Sequence, residues 1–240
     1  MTRCVLITRP EADAAVLQSQ LTAMGFKTLL NPILNIAYKD DVHLSLESVQ
    51  AILFTSTNGV RAFVRQHDER SIPVFTVGDA SARAAHNEGF KIVKSARGDV
   101  RALSSLVQQH LKPESGALLH IAASRVAGDL AGDLEKSGFE VRREVLYSAP
   151  VADALQAETI AALKQGNVDA ILLFSPRTAI AFVALIKEAG LADACQKLTV
   201  FCLSAAVGKA VEELTWTGIQ TAPEPNQDAL LNLLASWLKQ

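Results

Sequence analysis

The sequence lacks the glycine patterns with which nucleotide-dependent enzymes hold phosphate groups. Its 13 glycines form no GxGxxG, and Gly208-Lys209 lacks both the upstream glycine and the following hydroxyl residue of a P-loop. GxSxG and HExxH are also missing, and the five histidines show no metal-ligand spacing to one another or to cysteine. These absences argue against a nucleotide-dependent or metal-dependent enzyme, so we expect no nucleotide cofactor and no metal.

Cysteines and long apolar runs are scarce as well. The three cysteines, Cys4, Cys195 and Cys202, are odd in number and have no CxxC spacing, so reduced thiols in a cytoplasmic protein are expected. The apolar run near the N-terminus is too short for a signal peptide, and the run from Ala179 to Ile186 is too short to span a membrane. We therefore expect a cytoplasmic location and no membrane partner.

Charge of one sign is not in excess. The 23 basic and 25 acidic residues give a net charge of −2, and no block of like charge stands out. A nucleic-acid-binding protein would usually show a basic face or stripe, so no nucleic-acid partner is expected. An anionic ligand would have to be held by local donors, because the chain has no strong overall field.

What the sequence does contain is a regular alternation of strand-like and helix-like segments. The short apolar run Cys4–Thr8 is followed by helical spacing over Glu11–Met24, which ends at Gly25. The alternation continues to a last strand-like run at Ile219–Thr221. Strands that alternate with helices predict parallel sheets covered on both faces. The predicted fold class is therefore α/β with doubly wound parallel sheets.

The chain is also a diverged duplication. Seven of 14 positions match between Ala51–Val64 and Ala170–Val183, against roughly one expected for unrelated segments. A second pair of similar segments is Val74–Ser81 and Val200–Val207. Two similar domains are expected from such a duplication.

Each half carries one long extended stretch after its first helix. These stretches, Lys27–Lys39 and Glu140–Val151, are long enough to leave one domain and enter another, because ten extended residues reach about 33 Å. We infer that they contain a two-stranded linker and that the first domain is discontinuous. The predicted parts are domain one at residues 1–36 plus 153–240, domain two at 40–147, and linker strands at about 32–41 and 147–153.

Two equivalent turns of the duplication are the first candidates for a binding site. They are Ser56-Thr57-Asn58 and Ser175-Pro176-Arg177, each of which follows a strand-like run and opens a helix. Ligands of parallel α/β sheets bind at the carboxyl ends of strands, where free N–H groups and the helix dipole favour an anion. Serine at the N-cap and proline at N1 are also common helix caps without any ligand. Carboxylate binding and simple capping are therefore two interpretations of both turns.

Three further strand-to-helix junctions carry candidate binding groups. Gly78 would let a ligand approach the backbone closely, and Ser81 can donate a hydrogen bond beside it. The equivalent turn of the duplication has Ser204 and Val207, where only backbone N–H groups could bind. Arg9 could clamp a carboxylate with its planar guanidinium, or it could form a surface salt bridge.

Tyrosine is rare in this chain. Tyr38 and Tyr147 are the only two, and both lie at the stretches predicted to link the domains. Tyr147 could simply line a hinge, or it could donate a hydrogen bond or a proton from its phenol. An ordinary phenol has a pKa of about 10 and is protonated at neutral pH. Tyr147 is therefore the candidate proton donor.

The order and spacing of these segments resemble those of uroporphyrinogen-III synthases over essentially the whole chain. The segments that carry the resemblance are Leu6–Pro10, Leu21–Gly25, Pro32, Phe54–Asn58, Val77–Ala82, Leu134 through Gly138 and Val141 to Tyr147, Phe174–Arg177 and the late Ala229-Leu230 helix. No single segment is specific, but their order and spacing together are. The resemblance implies a two-domain enzyme with a two-stranded linker, an active site between the domains, and no metal or cofactor.

The resemblance also implies the reaction. The substrate would be hydroxymethylbilane, a small linear tetrapyrrole with an acetate and a propionate on every pyrrole. The enzyme would remove its terminal hydroxyl as water, invert the last pyrrole through a spiro intermediate and close the ring. Tyr147 matches the family's tyrosine, which implies a role in helping the hydroxyl leave. A monomer is expected, and the preceding enzyme of the pathway is a second candidate partner.

Departures from the family pattern keep other functions open. Ser81 stands where the family usually has threonine, the Ser204–Val207 turn replaces a glycine and threonines, and Asn58 and Arg177 are positions that vary in the family. An inactive paralogue or a non-catalytic two-domain protein that closes on a small solute is the alternative function. A doubly wound nucleotide-dependent enzyme is a third interpretation, against which the missing glycine motif counts.

Overall fold

The computed structural model of the chain describes residues 2–40, 42–124 and 128–238. The strands are β1 (Cys4–Ile7), β2 (Lys27–Leu30), β3 (Ala37–Tyr38), β4 (Val49–Phe54), β5 (Val74–Thr76), β6 (Val93–Ser95), β7 (Ala117–Ala123), β8 (Val141–Ser148), β9 (Ala170–Leu173), β10 (Thr199–Cys202) and β11 (Gly218–Thr221). The helices are α1 (Glu11–Ala23), α2 (Thr57–Val64), α3 (Asp79–Asn87), α4 (Val100–His110), α5 (Leu130–Glu135), α6 (Ala157–Gln165), α7 (Pro176–Glu188), α8 (Ala192–Cys195), α9 (Ala205–Lys209) and α10 (Gln227–Leu238). A 3₁₀ turn lies at Pro113–Ser115.

The chain divides into two compact units. Met1–Asn35 with Pro150–Gln240 form unit 1, and Ile36–Ala149 form unit 2. Unit 1 is discontinuous because the chain leaves it after β2 and returns after β8. The domain and linker boundaries derived from the sequence stay predictions. Their ranges also include residues 1, 41, 125–127, 239 and 240, which lie outside the described residues.

Unit 1 is built on a parallel sheet of five strands in the order β11-β10-β9-β1-β2. Successive side chains of a strand point to opposite faces, and both faces are buried here. Val5 and Ile7 of β1 pack with apolar residues of α1 and α10, whereas Leu6 packs on the other face with residues of α6 and α7 such as Phe182. The near-continuous apolar runs of the sequence follow from this two-sided burial.

Unit 2 is built on a sheet of six strands in the order β3-β8-β7-β4-β5-β6. Ile52 and Phe54 of β4 point to the face covered by α2 and α3, while Leu53 points to the face covered by α4 and α5. Phe54 packs edge-on against Phe63 and Phe90, with ring centroids 6.0 Å apart in each pair. These aromatic contacts anchor α2, through Phe63, and the segment after α3, through Phe90, on the sheet.

One strand of unit 2 departs from the purely parallel arrangement that the alternation predicts. The outermost strand, β3, is antiparallel to β8, with Tyr38 opposite Tyr147. The chain enters unit 2 through β3 and leaves it through β8. Because one strand leads into the unit and its neighbour leads out, the two strands run in opposite directions. An isolated antiparallel bridge pairs Leu34 with Val151, both of which belong to unit 1.

The remaining pairings confirm the α/β class with doubly wound parallel sheets. Both sheets are covered on both faces by apolar clusters. Helices α2, α3, α7 and α9 begin at the carboxyl ends of β4, β5, β9 and β10, so the four predicted turns lie where ligands of such sheets bind. Within the described part of the chain, no helix is both long and apolar enough to cross a membrane.

Candidate active site

The turn after β4 is held by the side chain of Ser56. Its backbone is extended, with φ −156° and ψ 160°, and its Oγ accepts a hydrogen bond from the N–H of Gly59 at 3.3 Å. This is the N-cap geometry that serine favours at the start of a helix. Thr57 is the first residue of α2, so the turn presents the N–H groups of the first helical turn at the carboxyl edge of the sheet.

The Ser56 hydroxyl also meets the candidate catalytic tyrosine. Ser56 Oγ and the hydroxyl oxygen of Tyr147 lie 2.6 Å apart, although the two residues are 91 positions apart in the chain. Tyr147 belongs to β8, and β7 lies between β8 and β4 in the sheet. Its register partner in β7 is Ala123, whose small side chain leaves room for the phenol to reach across. Tyr147 is only 5% exposed, so packing fixes its ring while its hydroxyl lies at the start of α2.

Tyr38, Asn58 and Arg61 form a second polar group beside this pair. The ring centroids of Tyr38 and Tyr147 are 6.4 Å apart. The Tyr38 hydroxyl donates to Asn58 Oδ1 at 3.4 Å, and Arg61 Nη1 donates to the same oxygen at 3.2 Å. Asn58 is therefore positioned by one contact from β3 and one from its own helix.

The neighbouring turn, after β5, has an accessible backbone at Gly78. Gly78 is the N-cap of α3 and has an extended conformation, with φ −144° and ψ 166°. A Cβ placed on Gly78 would meet nothing within 4 Å, so the space in front of this backbone is open. Ser81 is 5% exposed, and its N–H donates to the Gly78 carbonyl at 3.1 Å. Because β4 and β5 are adjacent, the Ser56 and Gly78 turns lie side by side.

The turn after β9 in unit 1 repeats the serine cap with a different partner. Ser175 Oγ accepts a hydrogen bond from the N–H of Thr178 at 3.1 Å and lies 2.8 Å from the Thr178 hydroxyl oxygen. Pro176 is the first residue of α7, where its missing N–H leaves no bond unmade. Arg177 follows it and is half-buried. Ser56 and Ser175 are thus both helix caps, and carboxylate binding at these turns stays a prediction.

The turn after β10 has the weakest set of donors, as its sequence predicts. Ser204 is the N-cap of α9 but makes no side-chain capping bond to any described residue. Val207 is buried in the core of unit 1, and its N–H already donates to the Ser204 carbonyl at 3.0 Å. Binding at this turn would therefore depend on the backbone N–H groups that precede Val207.

Arg9 lies at the end of β1, close to the β9 turn. Its Nη1 donates to Gln227 Oε1 at 2.7 Å, and its guanidinium carbon lies 4.4 Å from the centroid of the Phe174 ring. A guanidinium over an aromatic face is held in a fixed orientation. Gln227, the first residue of α10, was not among the predicted site residues. Its place at the start of the late helix was the only signal for it in the sequence.

Burial determines the ionisation of the three cysteines. Burial raises the pKa of both Cys195 and Cys202 to about 12, so they are thiols at neutral pH. Burial also raises the pKa of Cys4, and the neighbouring Asp169 carboxylate acts in the same direction. Among residues 2–40, 42–124 and 128–238, no three His, Cys, Asp or Glu side chains converge as metal ligands would.

The predicted site residues fall into one group on each unit. The group on unit 2 consists of Ser56, Thr57, Asn58, Gly78, Ser81 and Tyr147. The group on unit 1 consists of Arg9, Ser175, Pro176, Arg177, Ser204 and Val207. Sequence reasoning missed Arg61 and Gln227, which orient Asn58 and Arg9 respectively. Neither residue stands in a motif, so the folded contacts identify both, and the sequence offers only the position of Gln227 at the start of the late helix.

Two doubly wound α/β units, with helix-opening turns at the carboxyl ends of their strands, define the class of this protein. The family model for uroporphyrinogen-III synthase HemD matches residues 15–232. The chain belongs to the uroporphyrinogen-III synthase family.

Solved structures of similar proteins share the fold. A uroporphyrinogen-III synthetase from Helicobacter pylori matches with a TM-score of 0.67 at 18% identity, over 99% of this chain and 100% of that chain. A mutant uroporphyrinogen III synthase from Thermus thermophilus matches with a TM-score of 0.57 at 16% identity, over 99% and 98% of the two chains. A curated protein from Methanocaldococcus jannaschii, provisionally assigned the same synthase activity, is 43% identical over 56 residues. That match spans 23% of this chain and 23% of the relative's length.

Proposed function

We propose that the chain catalyses the cyclisation of hydroxymethylbilane to uroporphyrinogen III, with loss of water and inversion of the last pyrrole ring. The observation that carries this proposal, in a member of this family, is the 2.6 Å contact between Tyr147 and Ser56 at the opening of α2. A phenol at that position can donate a proton to a substrate bound by the neighbouring turns.

The carboxylates of the substrate would bind to the helix-opening turns. The chain has a net charge of −2, so an anion with eight carboxyl groups cannot rely on a general positive field. Free N–H groups and the positive end of the helix dipole supply local attraction instead. The proposed binding residues are Arg9, Ser56, Thr57, Asn58, Gly78, Ser81, Ser175, Pro176, Arg177, Ser204 and Val207.

Positioning would supply a second part of the catalysis. Ring closure requires the two ends of a flexible linear substrate to meet in one orientation. Several fixed carboxylate sites reduce the number of conformations available to the bound chain before reaction. Because many contacts share this task, the loss of one binding side chain should cost less than the loss of the proton donor.

Departure of the hydroxyl group requires a proton donor, and Tyr147 is the proposed one. Tyr147 gives its proton to the terminal hydroxyl, the C–O bond breaks with both electrons on the oxygen, and water leaves. The substrate then carries a positive charge and the phenol has become a phenolate. Ring closure later releases one proton from the carbon that forms the new bond, and this proton restores the phenol.

A non-catalytic binding protein or inactive paralogue is the second candidate function. It is favoured by the turn after β10, where Ser204 makes no capping bond to a described residue and Val207 is buried. A substrate carboxylate there would have backbone donors only. Such a protein would bind hydroxymethylbilane without converting it.

Several finer features of the proposal rest on the sequence and the family resemblance. These are independence from cofactors, a monomeric state, a cytoplasmic location, and a functional encounter with the preceding enzyme of the pathway. None of them is needed for the chemistry assigned to Tyr147.

Isomer analysis of the product tests the proposal. Hydroxymethylbilane is generated in situ, the purified chain is added, and the oxidised products are separated into the type I and type III isomers. Because the substrate closes unaided to type I, predominant type III would support the synthase activity. Only type I from a folded chain would refute it, and retained binding of hydroxymethylbilane would then favour the non-catalytic alternative.

A further inference from the structure

The Ser56 hydroxyl forms hydrogen bonds with two groups, the Gly59 N–H and the Tyr147 hydroxyl. Its oxygen accepts the Gly59 N–H at 3.3 Å and lies 2.6 Å from the Tyr147 hydroxyl oxygen. A serine hydroxyl has one hydrogen to donate and two lone pairs with which to accept. With one lone pair engaged by Gly59, the remaining question is which hydroxyl donates to the other.

The position of Ser56 at the start of α2 favours donation by the serine. A hydroxyl oxygen that accepts a hydrogen bond becomes a better donor, because hydrogen bonds in a chain polarise one another. The positive end of the α2 dipole acts in the same direction, since it stabilises negative charge on nearby oxygens. The phenolate that would form when Tyr147 gives up its proton is such an oxygen, and a donor at 2.6 Å would stabilise it.

We propose that Ser56 is a positioning residue for Tyr147: its hydroxyl donates to the phenol oxygen, which directs the phenol's own proton to the substrate and stabilises the phenolate after proton transfer. The catalytic part of this role rests on the function proposed for the chain. The hydrogen bond itself does not, and it can be tested without substrate. This role differs from direct carboxylate binding, in which the Ser56 hydroxyl would contact the substrate.

The low tyrosine content of the chain permits a direct spectroscopic test. In a Tyr38→Phe background, Tyr147 is the only tyrosine, so ultraviolet absorbance against pH reports its ionisation alone. Adding Ser56→Ala should raise the titration midpoint by about one pH unit, the effect of one lost hydrogen bond to a charged oxygen. Ser56→Thr should keep the midpoint, because threonine retains both the hydroxyl and the helix cap.

Other groups near the phenol are the same in all of these variants. Among the described residues, besides Tyr38, which is replaced throughout, the ionisable side chains on the elements that pack most closely against β8 are Arg61 and the adjoining Arg65 of the α2 segment, His120 of β7, and Asp133 and Glu135 of α5. The strand β8 itself carries Arg142, Arg143 and Glu144. All of these are unchanged between the variants, so a difference in titration midpoint reports the Ser56 hydroxyl. Asp99 provides a matched control, since its Oδ1 caps α4 in the same unit by accepting from two backbone N–H groups at 2.9 and 3.0 Å. Asp99→Ala should remove a helix cap and leave the Tyr147 midpoint unchanged.

A double-mutant cycle tests the catalytic part, and circular dichroism confirms that each variant is folded. Ser56→Ala should lower kcat for type III formation about tenfold, with KM changed less than twofold, and should cost nothing further in the Tyr147→Phe background. Equal titration midpoints with and without the Ser56 hydroxyl would overturn the proposed hydrogen bond. Equal kinetic costs in both backgrounds would overturn the positioning role. If the unaltered chain forms no type III, the proposed function fails, and the titration still decides the hydrogen bond.

Discussion

The two duplicated serine turns have the same local structure and different partners. Ser56 and Ser175 both adopt extended backbones, with φ −156° and −149°, and both accept a hydrogen bond from the N–H three residues later. The Ser56 hydroxyl also contacts the hydroxyl of Tyr147 in β8, whereas the Ser175 hydroxyl contacts the hydroxyl of Thr178 in the helix that it caps. The cap has been retained after duplication, and its second contact has diverged.

The residue three positions after each serine explains the difference. In unit 2 this residue is Gly59, and a Cβ there would lie 3.3 Å from the Ile121 carbonyl oxygen and 3.3 Å from Phe54 Cδ1. The missing side chain therefore lets α2 lie close to the sheet and leaves the serine hydroxyl for a distant partner. In unit 1, Thr178 occupies the equivalent position, and its own hydroxyl meets that of Ser175.

The largest expected effect is at Tyr147, the residue of β8 that the Ser56 turn contacts. Tyr147→Phe should lower kcat for type III formation about a thousandfold, because general acid catalysis contributes roughly 10²- to 10⁴-fold. The phenyl ring preserves packing, so the variant should remain folded. Tyr38→Phe is the matched control and should cost less than tenfold, since the hydroxyl that it removes donates to Asn58 and is not the proposed proton donor. Full turnover by Tyr147→Phe in the isomer assay would remove the proposed proton donor.

The comparison between the units also predicts an effect of pH on stability. Leu21–Phe26 and Leu134–Phe139 share three of six residues, and aligning these two segments of the duplication makes Ile7 of β1 and His120 of β7 equivalent positions. Both are buried, and neither ring nitrogen of His120 has a hydrogen-bond partner among the described residues. Burial, assisted by the nearby Arg143 charge, lowers the pKa of His120 from 6.5 to about 4.

Between these two values the unfolded chain binds a proton at this imidazole that the folded chain does not. The free energy of unfolding should therefore fall by about 3 kcal/mol as the pH is lowered from 6.5 to 4, with no contribution from His120 above that range. Urea unfolding at a series of pH values measures this slope. His120→Ile, which installs the residue of unit 1, should flatten the slope, and His86→Gln at an exposed histidine should not. An unchanged slope in His120→Ile would assign the acid sensitivity to other groups.

Local structure could be predicted from the sequence, whereas the contacts of the site could not. The alternation of apolar runs and helical spacing predicted the strands and the turns that follow them, and serine at Ser56 and Ser175 predicted both caps. Those features depend on residues a few positions apart. The partner of Ser56 is 91 positions away in the chain, and Gln227 is 218 positions from Arg9. Such pairs depend on strand order and register, which spacing within one segment does not encode.

Exchanging Gly59 and Thr178, the residues three positions after the two capping serines, tests why the two serine hydroxyls have different second contacts. Gly59→Thr should lower the free energy of unfolding by about 2 kcal/mol, because the added side chain meets a backbone carbonyl that cannot easily move. Thr178→Gly should cost only about 1 kcal/mol, mainly through the lost hydrogen bond between the Thr178 and Ser175 hydroxyls, with a smaller part from the poor helix propensity of glycine. Urea midpoints of the two variants measure both effects. Equal costs would mean that close approach of α2 to the sheet is not what requires glycine at position 59.

The smallest expected effect on stability and turnover is at Ser175, the capping serine whose hydroxyl contacts a residue of its own helix. Ser175→Ala should lower the free energy of unfolding by about 1 kcal/mol, the usual cost of a lost serine cap, and should reduce turnover no more than a few-fold. Its hydroxyl contacts Thr178 within the same helix, and the backbone N–H groups of α7 remain available to a carboxylate after the substitution. Ser56→Ala should lose a similar amount of stability and considerably more turnover. Parallel urea unfolding and isomer assays on the two variants separate these quantities. A loss of turnover in Ser175→Ala as large as that in Ser56→Ala would show that the two serines act alike on the substrate, and that the contact with Tyr147 is not what distinguishes the turn of unit 2.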